Sequence, residues 1–302
     1  MKHAYLIIAH NNFPLLERLV RFLDSENADF YIHIDAKVKD FDFGAFAAVP
    51  VRSKITFTER HNIRWGHFSM VEAELSLLRA SVAEGYDYYH LLSGVDIPVK
   101  SREYIESYFE KAPEKNYVNF FHEVISKEDL WRVKFHYPCQ RWNIRKPAVR
   151  RTLRNVTAGA QLVLGVDRTR KYGGTVFQKG TQWWSITHAF AAYILSREAD
   201  VYRYFQDTYC PDELFVQTLM VNSPFADTLP ENSFTNSQGS CLRYIDWKRG
   251  NPYTFTSKDY DELIKTPSNA LFARKIAWGN GDDLAERIFA HFSEPDHGDC
   301  HG

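Results

Sequence analysis

The chain has 302 residues, 44% of them hydrophobic, enough to bury a sizeable core as one large α/β domain or two small ones. A formal net charge of −1 offers no basic field for nucleic acid as a main partner, and no stretch approaches the roughly 18 apolar residues of a membrane helix. Its four cysteines, Cys139, Cys210, Cys241 and Cys300, form no CxxC pair, which removes zinc-ribbon and thioredoxin readings and fits reduced thiols in a cytosolic, non-secreted protein. An aromatic content of 15% suits either a large aromatic core or a site where flat rings cover sugar C–H faces.

The run AYLIIAH near the N-terminus is apolar and short, as in a strand buried on both faces. PLLERLVRFLD follows with Leu15, Leu16, Leu19, Val20 and Leu23 at helical spacing and Pro14 in the first turn. DFYIHID is a second strand, completing a β-α-β unit that favours a parallel sheet. KITFTE is a third strand. SMVEAELSLLRASVAE is an amphipathic helix with Ser69 as its candidate N-cap, and YDYYHLLSG is a fourth strand. This β-α-β-β-α-β order predicts a nucleotide-binding half-sheet whose ligand sits at the carboxyl ends of the strands. Those ends carry His10-Asn11-Asn12, Asp35-Ala36-Lys37, Arg64-Trp65-Gly66 and Ser93-Gly94-Val95-Asp96.

Further on, CQRWNIRKPAVRRTLRN is crowded with Arg and Lys, as in a solvated helix face or a surface for acidic lipid or anionic glycan. QWWSIT reads as a strand followed by a helix, CPDELFVQTLMVNSPF as a helix beginning near Pro211, LRYIDW as a strand, TFTSKDYDELIKT as a helix, and ALFARKI as a short strand or turn. The end, with His291, His297, Cys300 and His301, reads as a loose tail whose spacing matches no closed zinc site. No repeat or linker interrupts the chain, so a single domain over 1–302 is expected. Its parts are a nucleotide-binding half (1–110), an acceptor-side and catalytic half (111–280), and a C-terminal helix and tail (281–302).

GxGxxG, GxxxxGK[ST] and GxSxG are all missing, which disfavours dinucleotide dehydrogenases, P-loop kinases and serine hydrolases. The pairs Asp40/Asp42 and Asp259/Asp261 have a D-x-D spacing that arises often by chance. The second pair falls in a helix, where i and i+2 point apart. Arg243, Arg274 and Lys275 could hold a diphosphate without metal or be ordinary surface charge. Glu213 is either a first-turn carboxylate, worth ~0.3–1 kcal/mol against the helix dipole, or a base. Asp96, ahead of Ile97-Pro98, either shapes a turn or meets ligand, and Trp65 either packs or meets ligand.

The segments AHNNFPLLERLVRFLD…FYIHIDAK, IRWGHFSMVEAELSLLRA, YYHLLSGVDIPVKS, KGTQWWSIT, CPDELFVQTLM, LRYIDWKRG and ALFARKI occur in an order that resembles the core-2/I-branching glycosyltransferases, the group that also holds peptide O-xylosyltransferases. The resemblance spans about residues 4–280. It implies a GT-A-type α/β fold with a mostly parallel central sheet flanked by helices. It implies inverting transfer from a UDP-sugar, xylose or GlcNAc foremost, to a glycan or lipid-linked glycan hydroxyl, with no cofactor and no metal. It also implies roles for individual residues. Glu213 matches the catalytic base, and Arg274 and Lys275 match the diphosphate pair, with Arg243 a further diphosphate-side arginine. Ala9, Asp35, Lys37 and Trp65 match the nucleotide side, and Asp96, Trp183 and Trp184 the donor and acceptor sides. Animal members carry an anchor, a stem and many disulfides; this sequence instead resembles a bacterial, cytoplasmic version, for which peripheral contact with the inner face of a membrane stays open. A carbohydrate-binding protein without catalysis and a Mg-dependent nucleotidyltransferase are the rival readings.

Overall fold

The computed structural model describes residues 1–141, 147–279 and 281–293. The chain opens with β1 (His3–Ala9), α1 (Phe13–Leu23), β2 (Ala28–Ile34), the short α2 (Phe43–Ala47), β3 (Ile55–Phe57), α3 (Ser69–Val82) and β4 (Tyr88–Ser93). β5 (Ile97–Pro98), α4 (Arg102–Glu110), β6 (Tyr117–Val118), α5 (Lys127–Lys134), α6 (Pro147–Val163) and β7 (Trp184–Thr187) come next. Then follow α7 (His188–Ser196), α8 (Glu198–Phe205), α9 (Phe215–Val221), β8 (Arg243–Ile245), α10 (Tyr260–Ile264), β9 (Phe272–Arg274) and α11 (Leu284–Ser293).

Two sheets result. The larger runs β3-β2-β1-β4-β7-β6; its first four strands are parallel, and β7 joins β4 and β6 antiparallel. The smaller runs β5-β9-β8, with β8 parallel and β5 antiparallel to β9. The fold is therefore the expected mixed α/β arrangement around a mostly parallel sheet. β1 is buried along its whole length, and its side chains alternate between two cores. Ala4, Leu6 and Ile8 meet α3 and α7, whereas Tyr5, Ile7 and Ala9 meet α1 and α11. Burial on both faces is what a continuous apolar strand requires.

Several local expectations change. The loop after β2 contains a helical turn, α2, because Asp42 Oδ1 accepts from Ala45 N at 2.9 Å and caps it. Ser69 is not an N-cap: it is the first residue of α3, and its Oγ accepts from Arg64 N at 2.9 Å. The helix expected from Pro211 is split. Pro211–Glu213 forms one 3-10 turn and α9 begins at Phe215, with Leu214 between them. Likewise, Ser257–Asp259 is a 3-10 turn closed by a Thr256/Asp259 capping box before α10. His291 lies on α11, with Nδ1 3.3 Å from Tyr260 Oη. His297, Cys300 and His301 lie outside the described residues, as does the side chain of Cys139.

Candidate functional site

A cavity of about 1290 Å³ opens at the carboxyl ends of the parallel strands. Ala9 and His10 at the end of β1 and Ser93 and Gly94 at the end of β4 form its floor. The two strand ends approach so closely that a Cβ on Gly94 would lie 2.9 Å from the Ala9 methyl carbon. Glycine is thus what lets the backbone itself line the floor.

One wall is cationic. Arg274, the last residue of β9, and Lys275 both line the cavity. The Arg274 guanidinium lies 3.8 Å above the Trp183 ring, and its Nε is 3.4 Å from Asp96 Oδ1. Asp96 is buried and is itself held by Ser93, whose backbone N (2.9 Å) and Oγ (2.7 Å) donate to it. Asp96 therefore anchors the arginine and takes no place in the cavity lining. Burial pulls the Arg274 pKa down, and Asp96 pushes it back up. Lys275, half-buried beside Arg274, is also pulled below its ordinary value by desolvation and then by that neighbouring charge.

Elsewhere in the lining a carboxylate is braced by two cations. Glu213 Oε2 accepts from Arg132 Nη1 at 2.7 Å and lies 3.7 Å from Lys179 Nζ. Both cations also reach Asp129 Oδ1, at 3.3 and 3.1 Å. Glu213 Oε1 takes no donor from the described residues and is left for a ligand. Gly180 supports the arrangement, since its N donates to Glu213 O at 3.0 Å. A Cβ there would fall 1.7 Å from Asn119 O, so no other residue fits. Beside Glu213 stands Asp212, whose Oδ1 is buried without a partner. Burial, then the Glu213 charge, pushes its pKa up to about 7. Behind it on α3 lies the fully buried Glu74, with Oε1 accepting from Gln182 Nε2 at 3.0 Å and Oε2 unpartnered. Burial and the Asp212 charge hold this carboxyl well above the usual range.

The remaining expected residues divide. Trp65 sits at the rim, 63% exposed, edge-on to Tyr209 at 5.7 Å. Asp35 and Lys37 do not line the cavity. Lys37 Nζ is 3.2 Å from Asp35 Oδ2 and donates to Ile63 O at 2.7 Å. Burial pulls the pKa of the cavity residue His10 below its ordinary value, with Asp35 opposing that shift and Lys37 and Lys275 adding to it. Trp184 is fully buried in β7 and does not line the cavity. Arg243 is displaced from its expected role most clearly. Its guanidinium is buried and donates to Leu91 O (2.9 Å), Trp184 O (2.9 Å), Cys241 O (2.7 Å) and Ser185 Oγ (3.2 Å). It bridges the two sheets and does not reach the cavity.

Arg132, Lys179, Asp212 and Glu74 escaped sequence reasoning. Only Glu74 carried a readable signal: with Val71, Leu75 and Leu78 it falls on the apolar face of α3, where a carboxylate needs a reason. Among the described residues, no group of three or more His, Cys, Asp or Glu side chains could hold a metal ion. Asp42 is occupied in capping α2, and Asp259 in its capping box and an ion pair with Arg249 at 3.0 Å.

The sequence profile of the Core-2/I-Branching enzyme family matches residues 3–266. Xylosyltransferase 2 of Rattus norvegicus is 22% identical over a 309-residue alignment that covers 95% of this chain and 33% of that protein. Xylosyltransferase 1 of the same species is 20% identical over 303 residues, covering 90% and 33%. The chain thus spans about a third of the length of the curated relatives it matches. Among solved structures, mouse Xyloside xylosyltransferase 1 in its apo form aligns over 93% of this chain and 98% of that one, with TM-score 0.37 and 9% identity.

Proposed function

The chain belongs to the Core-2/I-Branching enzyme family, and from that premise we propose that it is an inverting, metal-independent glycosyltransferase. It moves a sugar, xylose or GlcNAc, from a UDP-sugar to a hydroxyl of a glycan, free or lipid-linked, in cytoplasmic polysaccharide synthesis. The observation that carries this reading is that Glu213 and the Arg274/Lys275 pair open into one cavity large enough for a nucleotide sugar and part of an acceptor.

An alcohol is a poor nucleophile at neutral pH, and a positioned carboxylate that takes its proton gains ~10²–10⁴-fold. Glu213 Oε1 accepts the acceptor's proton while Arg132 and Lys179 hold Oε2 in place. The acceptor oxygen forms its bond to the anomeric carbon as the bond to the β-phosphate oxygen breaks. The electron pair leaves on the diphosphate, and the proton stays on Glu213 until solvent removes it. One displacement inverts the anomeric centre, with no covalent sugar intermediate. Arg274 and Lys275 meet the charge that develops on UDP, the task a divalent ion performs elsewhere. Asp96 and Trp183 fix the Arg274 guanidinium between an anion and an aromatic face, so it needs little rearrangement as that charge appears.

The test is a screen of UDP-sugars for UDP release with glycan acceptors in EDTA, repeated with Glu213→Gln. Transfer in EDTA that disappears in the variant, with UDP binding intact, supports the assignment. Strict dependence on Mg²⁺ would favour nucleotidyl transfer, and sugar binding without UDP release a catalytically silent lectin-like protein.

A further inference from the structure

Helix α6 is unlike the other long helices of the molecule: none of its described side chains is buried. A soluble helix ordinarily buries an apolar stripe against its core. The inner side of α6 is held by polar contacts instead. Gln161 clamps the backbone of His136 through Oε1 and Nε2, both at 2.8 Å, and the Arg154 guanidinium lies 4.7 Å over the Tyr209 ring. Its apolar side chains face water. Val149, Val156 and Val163 recur every seven residues and so run along one line of the helix. Val156 is 62% exposed and Val163 88%, and Leu164, just past the helix end, is 78% exposed.

The sequence of this region is one-sided in charge. Residues 135–166 contain six Lys or Arg and no Asp or Glu, within a chain whose formal net charge is −1. The exposed Arg151 is one of the six. A partner must therefore offer apolar depth and negative charge together. An anionic glycan would satisfy the arginines and leave the valines in water. A second copy of the chain would set like charge against like. A bilayer rich in acidic headgroups satisfies both, because an interfacial amphipathic helix buries its apolar side at the acyl boundary while its cations meet the headgroups.

The geometry points to α6 as a membrane-docking helix that lays the protein on an anionic lipid surface through Val149, Val156, Val163 and Arg151. The helix stands beside the mouth of the cavity, since Arg154 lies over the Tyr209 ring and Tyr209 meets the rim residue Trp65 edge-on. If the transferase reading holds, docking turns that mouth toward the lipid, and the acceptor is a glycan carried on a lipid.

Vesicle co-sedimentation tests the docking without any sugar transfer, so its failure is separate from failure of the transferase reading. The probes are vesicles of phosphatidylcholine alone and of phosphatidylcholine mixed with phosphatidylglycerol, at low and high salt. The expected result is binding to the phosphatidylglycerol vesicles alone, weakened by salt. Binding falls about tenfold or more in Val156→Asp/Val163→Asp and also in Arg151→Glu. All three positions are exposed, and unchanged circular dichroism and UDP affinity verify folding. No binding to phosphatidylglycerol vesicles overturns the proposal, as does undiminished binding by the double valine variant. Retention on a soluble polyanion such as heparin without vesicle binding overturns it in favour of an anionic glycan.

Discussion

Asp212→Asn offers a measurement whose size follows from the site. Burial and the adjacent Glu213 raise the Asp212 pKa from 3.8 to about 7. The native state therefore keeps a proton that the unfolded chain has already released between those two values. Stability falls wherever the native state binds more protons, so this group's contribution declines as pH rises from about 4 to about 7, then levels off. A displacement of about three units at about 1.4 kcal/mol each amounts to roughly 4 kcal/mol. The isosteric amide cannot ionise, so the variant escapes this loss. Urea unfolding at a series of pH values gives the difference in stability between variant and wild type. That difference should move in the variant's favour by several kcal/mol from about pH 4 to about pH 8. Titrating groups remote from Asp212 cancel in the comparison, whereas Glu74, which feels the Asp212 charge, contributes to it. A difference that is flat across the range would show that Asp212 titrates as it does in water and that burial beside Glu213 does not hold its proton.

Lys275→Ala should weaken UDP binding about tenfold, the worth of one charge-assisted contact, with little change in melting temperature; calorimetric titration with UDP reads it, and unchanged affinity removes Lys275 from the diphosphate. Arg243→Met should lower the stability of the fold itself, by on the order of 3 kcal/mol or more, because three backbone carbonyls lose their donor. An Arg243→Met protein that melts like wild type but binds UDP poorly would restore the arginine to the ligand. Gly180→Ala should destabilise the fold by at least ~1–3 kcal/mol and slow transfer, because the added methyl must push Asn119 away from the segment that holds Lys179 beside Glu213. Thermal melts and turnover of that variant check both effects.

The half-sheet was legible because its strands are near-continuous apolar runs, and four such runs separated by helical periodicity allow few arrangements. The position of the cavity followed from the strand ends, two of which, at His10 and Gly94, form its floor. Arg243 was misplaced because strand position says nothing about where a long side chain ends; its guanidinium is taken by carbonyls contributed by residues as distant as Leu91 and Trp184. Trp183 and Trp184 are neighbours in sequence, yet only the first faces the cavity. The braces on Glu213 come from Arg132, 81 residues away, and from Lys179, and no spacing rule connects them. The split at Leu214 was hidden because proline and two acids start a 3-10 turn as readily as an α-helix.

Arg243 also links two properties that are usually measured separately. It rivets the small sheet to the large one, and the small sheet carries Arg274 on its central strand, β9. Any change that loosens this joint moves Arg274, the proposed diphosphate cation, together with its strand. Nucleotide affinity and melting temperature should then fall together when positions along β8 and β9 are changed.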